Sequence, residues 1–289
     1  MSVHANTQCL LCHLERNVAL ARTLGTEEKA TAFAKELMKI YIGAPEGASA
    51  PFFAPETAQL FHQFYGLDVD RYKQEKVESN AFVLPRLPQI RERVVSAPDP
   101  VFAGLQFAIL GNYIDFAALR NEVSFEKLDE MLLSALEMEL DMGNYAAFCS
   151  DLAKGRRLLY LTDNAGEIGF DRIFAEEIQK AYPHLEITFC VRGGPANNDA
   201  TREDAKEVGI PFRVIDNGNW IPGTQLDMLG AEAKQAFEEA DVILSKGQGN
   251  AETLLGCGYN IYYAFLIKCP LFMARFQKAK LTPMLVKER

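Results

Sequence analysis

The chain is short of histidine, with four in 289 residues, and none stands in a Ser/His/Asp pattern. Hydrolysis by a triad is left without support. There is no run of basic residues, and the formal net charge is -9. Proteins that grip a phosphate backbone gain affinity by neutralising phosphates and show a basic stripe. Nucleic acid is therefore not an expected partner. An acidic chain can still take a phosphate ester where a bound cation outweighs the global field.

No stretch reaches the ~20 apolar residues that a membrane-spanning helix needs. The richest, residues 261–274, is interrupted by Lys268 and Pro270. The first residues lack the basic-then-apolar layout of a signal peptide. Six cysteines are too few for a disulfide framework in a chain of this length. These absences predict a cytoplasmic protein with reduced thiols and no membrane partner.

With 48% hydrophobic residues the chain can bury one large core or two modest ones. Its character changes near Asp151. Before that point Ala30, Phe33, Ala34, Leu37 and Ile40 follow the spacing of one helix face, as do Leu128, Leu132, Ala135 and Leu136. Residues 43–55, rich in Gly, Ala and Pro, read as a loop, and 82–100, with four prolines, as a break holding a short helix. After Asp151, apolar runs at 157–161, 185–191, 212–215, 241–244 and 261–267 alternate with helical stretches at 167–181, 226–240 and 251–255. The pattern predicts an α/β fold: a three-layer α/β/α Rossmann-like domain with a mainly parallel sheet, residues 151–289, behind a mainly helical domain, residues 1–150. Ligands of such sheets bind beyond the carboxyl ends of the strands.

Those ends are polar. The first run is followed by Asp163, Asn164, Ala165, Gly166 and Glu167, and the second by Arg192, Gly193, Gly194 and, further on, Asn198 and Asp199. The fourth is followed by Lys246, Gly247, Gln248, Gly249, Asn250 and Glu252. Oxygens of Asp163, Asn164 and Asp199 suit a hard divalent cation and leave positions for water and a phosphoryl oxygen. Asp and Asn here also suit a helix N-cap, with Glu167 favourable in the first turn. Gly247 and Gly249 allow close approach of an anion to backbone, and Lys246 offers a point charge. A tight turn with a solvated lysine would read the same way. The lysine precedes the glycines, so this is not a Walker A loop.

Only one glycine stands in the first turn, against dinucleotide or methyl-donor binding, and Ala165 occupies the place of a haloacid-dehalogenase-type second aspartate. Asn112 and Asp115, three apart beside Gly111, either reach the site's rim or cap a helix. Cys9 and Cys12 form one CxxC pair, a zinc half-site needing distant partners, a redox pair or a buried pair.

Taken together, these segments resemble the metal-dependent damage-control phosphatase family, long known only as a domain of unknown function. The Cys9/Cys12 pair points to its prokaryotic branch. The resemblance implies that Asp163, Asn164 and Asp199 hold one divalent metal, with manganese, cobalt, nickel and magnesium as candidates. It implies that Lys246 contacts the phosphoryl group, and that the substrates are small phosphorylated metabolites, sugar phosphates or damaged phosphometabolites. On this reading Asp163 or a water attacks, Glu167 or Glu252 orients that water, and Asn112, Asp115, Arg192, Gly247, Gly249 and Asn250 meet the substrate. The rival readings are an S-adenosylmethionine-dependent carboxyl methyltransferase and a non-catalytic phosphometabolite-binding protein.

Overall fold

The computed structural model describes residues 4–119 and 122–287. Helices α1 (Thr7–Leu24), α2 (Glu27–Gly43), α3 (Ala54–Tyr65), α4 (Lys73–Val83), α5 (Leu87–Val95), α6 (Pro100–Gly111), α7 (Phe125–Leu133) and α8 (Met142–Lys154) precede the sheet. Then come β1 (Arg157–Leu161), α9 (Glu167–Ala181), β2 (Glu186–Val191), α10 (Arg202–Val208), β3 (Arg213–Asp216), α11 (Ala231–Glu239) and β4 (Val242–Lys246). The chain finishes with α12 (Gln248–Leu254), β5 (Ile261–Leu266), α13 (Pro270–Phe276) and β6 (Pro283–Lys287).

Prolines read as breakers start helices here. Pro51 opens a 3-10 turn, Pro55 lies in the first turn of α3, and Pro88 and Pro100 stand at the starts of α5 and α6. A first-turn residue has no intrahelical acceptor for its N–H, so proline costs nothing there. The predicted helix at 226–240 is shorter than expected: a 3-10 turn at Leu226–Met228 and α11 are separated by Gly230. The α13–β6 tail was not anticipated from the sequence.

The sheet order is β3-β2-β1-β4-β5-β6. All neighbours are parallel except β6, which runs antiparallel to β5. The order reverses between β1 and β4, which are adjacent though far apart in sequence. That reversal opens a crevice at their carboxyl ends.

One core lies between the sheet and helices α4 to α9, and a second fills the other face under α11, α12 and α13. A small third core joins α1, α2 and α3 through Phe33, Leu37 and Phe61. The change near Asp151 is thus one of element type: Val83, Leu105 and Phe148 share a cluster with Phe174 and Leu244. Gly104 makes the closest crossing possible, because a Cβ there would lie 3.0 Å from the Phe174 Cα on α9.

Candidate functional site

Two strand ends are tied together before any ligand is considered. Ala200 N donates to Asp163 O at 2.7 Å and Ala165 N to Asn198 O at 2.9 Å, so the loops after β1 and β2 form a short bridge at Asn164 and Asp199. This pairing places Asp163, Asn164 and Asp199 side by side, all buried, on the wall of a cavity of about 180 Å³. The cavity opens where the strand order reverses.

Each side chain is held. Asp163 Oδ2 accepts from Asn112 Nδ2 and Asn164 Nδ2, both at 2.8 Å. Its Oδ1 stands 3.9 Å from Arg192 Nη2, beyond hydrogen-bond reach. Asp199 Oδ2 accepts from Arg192 Nε at 2.6 Å. Asn164 Oδ1 accepts from Asn198 Nδ2 at 2.9 Å. Gly247 has φ 79°, and a Cβ on it would fall 2.0 Å from Asp163 Oδ2. Only glycine lets β4 turn into α12 so close to that carboxylate.

Burial drives the electrostatics. It pushes the Asp163 carboxyl well above its ordinary range, with the Asp199 and Glu167 carboxylates adding to the effect. Asp199 is pushed up to about 6 by burial, against the pull of Arg192. Asn198 Oδ1 is buried with no hydrogen-bond partner among the described residues. Two crowded buried carboxylates, a carboxamide oxygen and an orphaned oxygen nearby form a surface rich in acceptors and poor in donors. A divalent cation fits this donor set, since the arrangement offers hard oxygen ligands and a cation would supply the compensating charge. Among the described residues no group of three or more His, Cys, Asp or Glu side chains is placed to hold a metal. The set here is two carboxylates and an amide.

Beneath the carboxylates lies a fully buried platform. Lys246 Nζ donates to Ala108 O at 2.8 Å, Glu167 Oε1 at 2.7 Å and Asp171 Oδ1 at 2.6 Å. All three ammonium protons are committed, and Lys246 does not line the cavity. The expected contact with a phosphoryl oxygen is therefore corrected to a supporting position under the site. Burial alone would lower the Lys246 pKa, but the Asp171 and Glu167 carboxylates outweigh it and the pKa is raised. Glu167 accepts from Asn164 Nδ2 at 2.7 Å and from Asn112 Nδ2 at 3.0 Å. It orients the cavity-wall residues and does not itself face the cavity.

Other predicted substrate contacts also lie behind the wall. Asn112 caps the end of α6 and donates to Asp163 from behind the wall. Arg192 is committed to Asp199 and, at 3.2 Å, to Asn250 Oδ1. Asn250 Nδ2 donates to Thr162 O at 2.9 Å and Lys246 O at 2.7 Å, latching β1 to β4. The Gly247 amide donates to Ala264 O at 3.1 Å. Asp115, Gly249 and Glu252 do line the cavity. Asp115 Oδ2 accepts from Lys268 Nζ at 2.6 Å. Glu252 is half-buried, accepts from Gln248 Nε2 at 2.7 Å, and is pushed up to about 7 by burial.

Sequence reasoning missed the opposite wall: His13, Arg16 and Asn17 of α1, Arg71 and Tyr72 before α4, and Trp220 after β3. His13 and Arg16 share a helix face three residues apart, which was a readable signal. Asp171 was equally readable as the residue four beyond Glu167. Cys9 is half-buried near the start of α1 and Cys12 exposed, both free thiols, and burial pushes the Cys9 thiol up.

Fold and site together define a doubly wound α/β protein with an oxygen-rich cavity at the switch point of its sheet. Residues 5–282 match the profile of the damage-control phosphatase ARMT1-like domain, and the chain belongs to that family. An uncharacterised protein of Methanocaldococcus jannaschii is 32% identical over 281 residues, covering 93% of this chain and 90% of the relative. The damage-control phosphatase PH1575 of Pyrococcus horikoshii is 36% identical over 169 residues, 57% of this chain and 58% of that protein. A damage-control phosphatase of Archaeoglobus fulgidus is 34% identical over 188 residues, 64% of each. The crystal structure of the P. horikoshii protein, a DUF89 family member, superposes with a TM-score of 0.82 at 26% identity over 99% of both chains. Membership places the chain among phosphatases, and no described helix is long and apolar enough to cross a membrane.

Proposed function

We propose that the chain hydrolyses small phosphomonoesters in this cavity with the help of one divalent cation held by Asp163, Asn164 and Asp199. The observation that carries the reading is the convergence of those three buried side chains on one cavity wall. When bound, the cation supplies Lewis-acid polarisation of the phosphoryl group and neutralises charge that builds during transfer. The chain does the rest. Asn112, through its bond to Asp163, and Arg192, through its bond to Asp199, fix the two carboxylates. The Lys246–Glu167–Asp171 platform holds Asn112 and Asn164 from below, so the oxygens need not reorganise during reaction. Glu252 faces the cavity with its carboxyl protonated up to about pH 7 and donates a proton to the leaving alkoxide.

The cavity's modest volume favours metabolites of a few carbons over nucleotides. Manganese, cobalt, nickel and magnesium are the cations to test. The assay is phosphate release from an aryl phosphate and a sugar-phosphate panel, using chelator-stripped protein with each metal added back. We expect turnover to be restored by metal and to fall on the order of a thousandfold in D163N and D199N. Saturating metal should also raise the melting temperature, since a ligand at about a hundred times its Kd stabilises by about 2.7 kcal/mol. Folded protein inert with every metal would overturn the hydrolase reading.

A further inference from the structure

Two arginines, Arg16 and Arg71, also line the cavity. Arg71 Nη1 is buried with no hydrogen-bond partner among the described residues, while the guanidinium stacks over Phe61 at 5.1 Å and Tyr72 at 5.2 Å. Arg16 reaches the cavity from α1. Between them sits His13. Its Nδ1 lies 2.6 Å from Tyr41 Oη and 3.2 Å from Asn17 Nδ2, both able to donate to it. This fixes the neutral tautomer with the proton on Nε2. Burial first, then Arg16 and Arg71, lowers the His13 pKa to about 4, so the ring stays neutral as the two cations flank it.

At the carboxylate wall the situation is reversed. Arg192, Lys246 and Lys268 are engaged by Asp199, by Glu167 and Asp171, and by Asp115. The strongest charges acting on Asp163 are Asp199, Glu167, Lys268 and Asp115, with neither Arg16 nor Arg71 among them. Arg16 acts on Glu252, which lines the same cavity. Arg16 and Arg71 thus line the same cavity as Asp163 and Asp199 without being among the charges that act most strongly on Asp163.

We infer that Arg16 and Arg71 bind a second anionic group of the substrate, so that the preferred substrates are small phosphate esters carrying a further carboxylate or phosphate. This rests on the proposed phosphatase reading for the other end of the cavity. A buried guanidinium nitrogen without an acceptor, as at Arg71 Nη1, is costly unless an anion meets it, and Arg matches carboxylate and phosphate oxygens with paired donors.

The test compares esters that differ only in the second group: phosphoglycolate, ethylene glycol bisphosphate and the hydroxyethyl monophosphate. Wild-type protein should prefer the two doubly anionic esters by ~10-fold or more in kcat/KM, the size expected of a charge-assisted contact. In R71Q and in R16Q the preference should shrink ~10-fold, mainly through KM, and R71K should restore part of it. The ranking of carboxylate and bisphosphate shows which second anion is favoured. Equal kcat/KM for all three esters in wild type, or variants that lose all three alike, would overturn the inference.

Binding separates this outcome from a failure of the phosphatase reading. Trp220, the single tryptophan, lines the cavity and reports occupancy by fluorescence. Phosphoglycolate titrated into chelator-treated protein should bind ~10-fold more weakly to R16Q and R71Q than to wild type. Affinities unchanged in both folded variants would sink the anion site even if turnover had never been seen.

Discussion

At the scale of single residues, Gly247 and Glu252 make opposite demands on the cavity. Gly247 is required by space and by its φ of 79°. In G247A the added methyl must displace the Asp163 carboxylate or the β4–α12 turn, and we expect a stability loss of ~2–4 kcal/mol by urea unfolding, with weakened metal affinity. A loss below ~0.5 kcal/mol would mean that the turn gives way easily. Glu252 is governed by charge. Burial raises its carboxyl from the ordinary 4.5 to about 7; Gln248, Arg16 and Lys268 oppose the rise and Asp115 adds to it. Between those two values the folded chain binds more protons at this site than the unfolded chain does. The stability it contributes is therefore full below pH 4.5 and lost as pH climbs to about 7. E252Q lacks that loss. Melting temperatures of variant and wild type, followed from about pH 4.5 to pH 8, should diverge in favour of the variant until about pH 7 and then run parallel. Parallel curves throughout would show that Glu252 is ionised at ordinary cost.

At the scale of elements, β4 carries its lysine inward because strand side chains alternate. Val242 and Leu244 lie in the core beneath α6 and α9, Ile243 in the core on the other face, so Lys246 continues the inner row. K246M leaves Glu167 and Asp171 buried without a counter-charge, and we expect a loss of ~3–5 kcal/mol. Adding D171N should recover at least ~1 kcal/mol, as a double-mutant cycle would measure; strict additivity would mean that the two do not act as a pair. The same row shows what the sequence could disclose. Strands β1, β2 and β4 and the polar residues beyond them were legible because apolar runs ending in Asp, Asn or Gly punctuate a parallel sheet. The direction of Lys246 was not, because a period of two divides a strand into faces without saying which helices cover each face. Nor were Arg16, on a helix whose own pattern reports only the small core around Phe33, and Arg71, in the turn before α4. Asn80 was hidden likewise: its Oδ1 accepts from Gly166 N at 2.7 Å while its Nδ2 donates to Asp204 Oδ1 at 3.0 Å, ties that join α4 to the starts of α9 and α10.

For the whole molecule, the question is whether a boundary at residue 150 separates independent folding units. The packing says that it does not. Helix α6 is buried nearly all round and lies across α9, where Gly104 and Gly111 admit Phe174 and Phe170. Phe170, Ile173, Phe174 and Ile178 of α9 share one core with Leu105 and Phe107 of α6. Removing residues 1–150 would expose that face and strip Lys246 of the Ala108 carbonyl. A fragment of residues 151–289 should therefore lack a cooperative thermal transition and aggregate, although it contains all six strands. In the intact chain, amides of α4 to α9 and the sheet should exchange as one unit. Amides of α1 to α3, resting on a separate small core, should exchange at lower free energy. Since α1 carries Arg16 and His13 to the cavity, such local opening would uncover the site without unfolding the carboxylate wall. Hydrogen exchange followed by mass spectrometry, with and without phosphoglycolate, checks this. Protection gained in α1 but not in β1 would tie substrate to the helical cap, whereas uniform protection would show that the two parts open together.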